Sequence, residues 1–151
     1  YLSFGINKKH YTPKGIVEHG EFSVCIPGED LVVETDYVGL VSGKTPDKSQ
    51  LFELFAGQLA HAPLIKGCPV CMECRLARVV DFGTHDVFIG EIVATHADED
   101  VLRADGVVDI ARVRPLLFDM ASLKYWSLGA EVASCWGAGK ELKKRLRSEA
   151  E

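Results

Sequence analysis

Residues 72–81 and 87–94 are two long runs of strand-forming side chains, and Phe82-Gly83-Thr84-His85-Asp86 between them has the length and the glycine of a hairpin link. Two runs joined so closely must lie antiparallel, and the rest of the chain has to be arranged around that pair. Residues 21–26 alternate Phe22, Val24 and Ile26 against Glu21, Ser23 and Cys25, a period of two that marks a half-buried strand stopping at Pro27-Gly28. Residues 1–6 supply Tyr1, Leu2, Phe4 and Ile6 with no helical spacing, a further strand that ends at Asn7. Residues 30–40 carry a rough helical spacing of Leu31, Val32, Thr35 and Val38 behind Asp30 as cap, and residues 42–49 read as a loop. A short strand at 115–118 and a terminal helix over 139–151, with Leu142 and Leu146 on one face, complete the outline. The expected fold is mainly β, a β-barrel with peripheral helices, in one domain over residues 1–151.

The junction after the first strand has a chemistry of its own. Asn7-Lys8-Lys9-His10-Tyr11-Thr12 leads into Pro13, and a hydroxyl residue before proline is the cap and first-turn pair of a helix, with His19-Gly20 as its stop. Free backbone N–H groups and the positive end of a helix dipole attract an anion, and the two lysines and the histidine add donors beside them. The alternative is a capped helix with solvated lysines. Net charge is −5, which removes a general nucleic-acid footprint, and the basic run Lys140, Lys143, Lys144, Arg145, Arg147 reads as a solvated helix face. No apolar run approaches the roughly 18 residues of a membrane span, so no membrane partner is expected and the chain reads as soluble and cytoplasmic. It opens inside a strand and not at Met, which fits a piece of a longer protein.

Cys68-Pro69-Val70-Cys71-Met72-Glu73-Cys74 has the spacing of metal or cluster ligands. A ferredoxin-type run would continue with a cysteine and a proline where Arg78 and Val79 stand, and a strand through this segment turns Cys71 and Cys74 to opposite faces. No metal site is therefore expected. Buried free thiols are the favoured reading, with a metal or cluster module and a Cys68–Cys71 redox pair as alternatives. Gly43-Lys44-Thr45 lacks the upstream glycine of a P-loop, G-x-S-x-G is absent, and the five histidines form no ligand pair. His85 is placed in the turn between the long strands, where a scaffold can hold a ring nitrogen against a substrate. Tyr125-Trp126 and Trp136 are read as core fillers before stacking platforms.

In their shared order, several short motifs resemble one family. They are Lys8-Lys9-His10-Tyr11-Thr12, Glu21-Phe22-Ser23-Val24, Thr35-Asp36-Tyr37-Val38-Gly39 with Ser42-Gly43, Asp47-Lys48-Ser49, Gly83-Thr84-His85 with Phe88-Ile89-Gly90-Glu91, and Tyr125-Trp126-Ser127-Leu128-Gly129. The chain resembles the flavin reductases with an FMN-binding split barrel, in particular the flavoredoxin-like branch that includes archaeal ferric reductases. That resemblance implies a split β-barrel whose further strands would precede Tyr1, and a homodimer with one FMN per subunit near the interface. It places Asn7, Lys9, His10, Thr12 and Lys48 on the FMN phosphate, Trp126 against the flavin ring, and His85 toward a nicotinamide as the residue on the catalytic side. The implied activity passes hydride or electrons from NAD(P)H through FMN to a small-molecule or protein acceptor. A flavoredoxin-like electron carrier without nicotinamide activity is the alternative.

Overall fold

The computed structural model of the protein describes residues 1–41, 43 and 48–149. Most of the expected loop 42–49 lies outside the described residues, including Ser42, the Lys44-Thr45 pair and Asp47.

Four strands form the main sheet: β1 (Leu2–Asn7), β2 (Glu21–Ile26), β5 (Val70–Phe82) and β6 (His85–Ala97). Their order is β1-β6-β5-β2, every neighbour antiparallel. β1 and β2 are the outer strands, and strands about 4.8 Å apart would put them roughly 14 Å from one another if the sheet were flat. Instead Phe4 of β1 and Phe22 of β2 meet edge to face, with centroids 5.3 Å apart. The sheet is therefore curled into a half-barrel. Two register shifts in the β5–β6 pair, at Glu73/Cys74 and Leu76/Arg78, supply the bends such curvature requires. Ile16, Phe22, Cys74 and Phe88 are buried inside the curl, and Leu2, Phe4, Ile6, Val24, Met72, Leu76 and Ile92 pack around them.

The long hairpin is tighter than its sequence implies. β5 runs to Phe82 and β6 starts at His85, leaving a two-residue link of Gly83-Thr84. Gly83 takes a positive φ of 73° at the first central position, as a type II′ turn demands, and its N–H donates to Asp81 Oδ1 at 2.6 Å. His85 is thus the first residue of a strand and not a turn residue. β2 occupies the span its alternation predicts.

Helix α1 (Thr12–His19) crosses from β1 to β2 and buries Ile16 against the core. It stops where expected, at Gly20 in the left-handed region (φ 66°), whose N–H returns to the Ile16 carbonyl. Its start differs from expectation: Thr12 lies inside the helix, and Tyr11 before it makes no side-chain cap. The next helical segment also shifts, since residues 29–31 form a 3-10 turn that takes in Asp30, and α2 (Val32–Leu40) follows.

A smaller layer packs on the other face of β5. β3 (Leu54–Phe55) pairs with β4 (Leu64–Ile65), and the loop between them folds over the buried carboxylate of Glu73. Leu59 N–H donates to Glu73 Oε2 at 2.6 Å, while His96 Nε2 lies 2.7 Å from Oε1. α3 (Ile110–Val113), capped by Asp109, precedes the hairpin of β7 (Leu117–Asp119) and β8 (Lys124–Trp126), and α4 (Lys140–Ser148) ends the described chain. The core role expected for the tryptophans fails: Trp126 is 56% exposed and Trp136 91%.

Candidate functional site

At the β1–α1 junction the backbone folds onto the tip of the long hairpin. Asn7 pairs with His85 in the sheet, and Lys8 N–H donates to the Thr84 carbonyl. Asn7 Oδ1 accepts the Lys9 N–H at 3.0 Å and its carbonyl accepts the His10 N–H, so one asparagine sets the whole turn. The three basic residues then diverge in role. Lys8 Nζ is 2.6 Å from Asp81 and 3.4 Å from Asp86, and the Asp81 hydrogen bond holds its pKa above the ordinary lysine value. Its charge is spoken for. Lys9 and His10 are exposed and, among the described residues, form no ion pair.

α1 itself starts with no side-chain cap and no acidic residue in its first turn. Among the described residues the N–H groups of Tyr11 and Thr12 make no hydrogen bond, and Pro13 has none to offer. A helix start with no side-chain cap and the exposed basic residues Lys9 and His10 next to it suits a phosphate, through backbone donors and dipole together. The structure thus gathers Asn7, Lys9, His10, Thr12 and His85 at one end of the sheet. The His85 ring is held there by Thr84, with Oγ1 to Nδ1 2.9 Å.

Lys48 and Trp126 stand apart from that group. Lys48 Nζ donates to the Val38 carbonyl at 2.6 Å, closing the C-terminal end of α2. Its segment nevertheless comes near the junction, because Gly43 packs so tightly on the Tyr11 side chain that an added Cβ would lie 2.8 Å from the Tyr11 Cβ. Trp126 sits on β8, whose neighbour Tyr125 ties the hairpin to α2 through a 3.1 Å hydrogen bond to Asp36. The alternation of β8 leaves the Trp126 ring on the opposite side, toward solvent.

A cavity of about 740 Å³ opens on the seam between β1 and β2 and is lined by Leu2, Phe4, Thr12, Ile16 and Phe22 among others. Of the candidate phosphate, ring and nicotinamide residues, Thr12 is among its lining. Among the described residues its lining includes Glu21, His19 and His61 and no lysine or arginine. The cysteine run does not meet at a point either. Cys74 lies in the half-barrel core, whereas Cys68 and Cys71 lie with Leu64 on the other side of β5, as the strand period requires. Among the described residues no group of three or more His, Cys, Asp or Glu is placed to hold a metal ion. Sequence reasoning missed the Glu73–His96 pair. A glutamate inside an apolar strand was its only available signal.

Against known proteins, the family model for the Flavin reductase like domain matches residues 1–127. The chain belongs to the flavin reductase like family. A crystal structure of flavoredoxin from Methanosarcina acetivorans is 45% identical and superposes with a TM-score of 0.89 over 93% of this chain and 75% of its own. Flavoredoxin of Desulfovibrio vulgaris (Miyazaki F) is 33% identical, with a TM-score of 0.84 over 91% of this chain and 76% of its own. These two place the chain on the flavoredoxin branch of the flavin reductase like family. Nitrilotriacetate monooxygenase component B from Bacillus cereus, 22% identical with a TM-score of 0.77 over 87% of this chain and 70% of its own, shares the fold. The chain spans about half the length of the curated relatives it matches. One from Archaeoglobus fulgidus is 34% identical over 64% of this chain and 56% of its own length. The half-barrel is therefore a flavin-binding split-barrel fold. No helix among the described residues is long and apolar enough to cross a membrane.

Proposed function

We propose that the protein binds FMN, with its phosphate at the start of α1, and passes electrons from NAD(P)H to an acceptor. The observation that carries this reading is the uncapped helix start flanked by Lys9 and His10, which are exposed and form no ion pair among the described residues. Family membership supports reading the helix start as the phosphate end of a flavin site. Asn7 shapes the turn, Lys9, His10 and Thr12 contact the phosphate, and Lys48 approaches from the α2 side when its contact with the Val38 carbonyl is exchanged. His85 faces the nicotinamide side, and Trp126 covers the ring. Bound flavin supplies the hydride and electron chemistry, so the chain needs no acid or base of its own for that step. Its residues bind and orient.

The second reading, a flavoredoxin-like carrier with no nicotinamide activity, is favoured by the 45% identity to a flavoredoxin. One experiment separates the two: NAD(P)H oxidation under steady state by the FMN-loaded protein. A rate above that of free FMN supports the reductase, and a rate no faster supports the carrier. Failure to bind added FMN at all would remove both. A second copy of the chain is the proposed partner, because Met120, Leu123, Trp126, Leu128, Val132 and Trp136 are all exposed in one stretch of sequence. The acceptor is a small molecule or a protein. Five free cysteines fit a reducing compartment, so the cytoplasm is the proposed location.

A further inference from the structure

The chain beyond β8 has no polar hold on the body that carries it. Every residue from Ser127 to Glu149 except Gly137 is exposed. Among the described residues their hydrogen bonds and ion pairs, such as Lys144 with Glu141 and Arg145 with Glu149, stay within this arm. Yet the arm carries Leu128, Val132, Trp136, Leu142 and Leu146, all of them exposed, which marks a surface made for contact.

Its helix α4 presents one apolar stripe between cations. Leu142 and Leu146 lie one turn apart, and the helical period sets Lys143 and Arg147 along one side of them and Arg145 along the other. Within α4 five basic residues stand against the single acid Glu141. Helix α2 has the matching face. Leu31, Thr35 and Val38 turn inward, where with Cys25, Ile65 and Cys68 they line a small cavity. Val33, Tyr37 and Leu40 form a stripe on the opposite side, and Val33 is 72% exposed. The same period puts Asp36 on one side of that stripe and Asp30 and Glu34 on the other, with no lysine or arginine anywhere from Pro27 to Val41. Asp30 and Glu34 form no ion pair among the described residues, whereas Glu29 is taken by Arg114. Next to the stripe a groove of about 520 Å³, lined by Val32, Val33, Asp36, Leu123, Lys124 and Tyr125, opens between α2 and the β7–β8 hairpin.

We propose that α4 of each copy packs antiparallel on α2 of the other, so that two chains exchange their C-terminal arms. Leu142 and Leu146 meet Val33, Tyr37 and Leu40 beside the groove. Antiparallel pairing brings the same flanks together, Lys143 and Arg147 beside Asp30 and Glu34, and Arg145 beside Asp36. The exchange is reciprocal, as a two-fold dimer requires. Occupation by a second copy explains both exposed faces at once, since in its own chain α4 leaves the α2 stripe uncovered. This contact rests on the second copy proposed above and names the surface that joins it.

The test uses the full chain with added FMN under reducing conditions. A carbodiimide, which joins a lysine amine to a carboxylate in direct contact, should link Lys143 to Asp30 or Glu34 in the covalent dimer. Chains that remain monomeric should lack that link. Lys143→Glu with Arg147→Glu, and separately Asp30→Lys with Glu34→Lys, should each weaken self-association at least about tenfold in sedimentation, because like charges then face one another. Mixing the two variants should restore a dimer, since each arm now meets a body of opposite charge. Variants that dimerise as tightly as the unsubstituted protein, or that fail to recover on mixing, would overturn the contact while leaving a second copy in place. So would a covalent dimer without the link, or equal amounts of the link in monomeric chains. A monomeric unsubstituted protein would remove the second copy and the contact together. The link is read on the unsubstituted protein, so misfolding of a variant cannot hide the answer.

Discussion

Lys8 and Lys9 are neighbours of the same type, yet among the described residues only Lys8 has its charge engaged. Lys8 is held by Asp81 and Asp86, and Lys9 is not. Replacing Lys9 with alanine should weaken FMN binding by about 1.5–3 kcal/mol, the range for a hydrogen bond to a charged group. The same range is expected for Lys48→Ala, and a clearly smaller loss for Lys8→Ala. Fluorescence titration of FMN with each variant measures all three, and equal losses for Lys8 and Lys9 would move the anion off the helix start. The basic cluster was legible as residues 8–10 in the sequence. Which member stays free was not, because Asp81 and Asp86 are more than seventy residues away and reach Lys8 only once the hairpin tip has folded over the junction. Trp126 shows the reverse. Its type argued for burial, and its place on a two-stranded hairpin beside α2 left it exposed.

Within elements, close packing decides what the strands tolerate. Gly90 on β6 faces the Phe22 ring and Cys74, so closely that an added Cβ would collide with the ring. Gly90→Ala is expected to cost about 1–3 kcal/mol through overpacking, while Phe88→Ala, which empties a fully buried site, should cost about 3–5 kcal/mol. Urea unfolding of both variants checks the order. The loop between β3 and β4 depends on Glu73 in a different way. Burial pushes that carboxyl up, but the His96 ring and the Leu59 and Gln58 N–H groups outweigh it and hold its pKa below the ordinary value. A carboxylate with a lowered folded-state pKa contributes stability that is fully present above the unfolded value, about 4.3. The contribution is lost as pH falls toward the folded one. The urea midpoint should therefore drop on acidification below about pH 4.3, and drop less in Glu73→Gln. Equal slopes would detach the Glu73 contacts from stability. Strand β2 was read correctly to the residue because one face is core and the other is not. Glu73 was illegible for the same reason, since alternation identifies a face and says nothing of the loop that will cover it.

For the molecule as a whole, among the described residues the main sheet leaves the outer edges of β1 and β2 without a strand partner, and large apolar side chains between Leu117 and Trp136 are exposed. Sedimentation of the FMN-loaded protein should give a particle of two 16.6 kDa chains, and a monomer that retains FMN would rule out a site completed by a second copy. The sequence by itself determined the hairpin at the centre, the strand β2, the stop of α1 at Gly20 and the family. These rest on local rules of period, turn and order that few neighbours can override. Only the tertiary structure decided that the sheet curls until Phe4 meets Phe22, that Asp81 and Asp86 engage Lys8 and not Lys9 at the start of α1, and that Cys25 joins Cys68 and Cys71 while Cys74 turns away. The physical reason is common to all three. Each depends on groups far apart in the chain meeting across a curved sheet, and the direction of a strand's curvature is set by bulges and packing that no local pattern records.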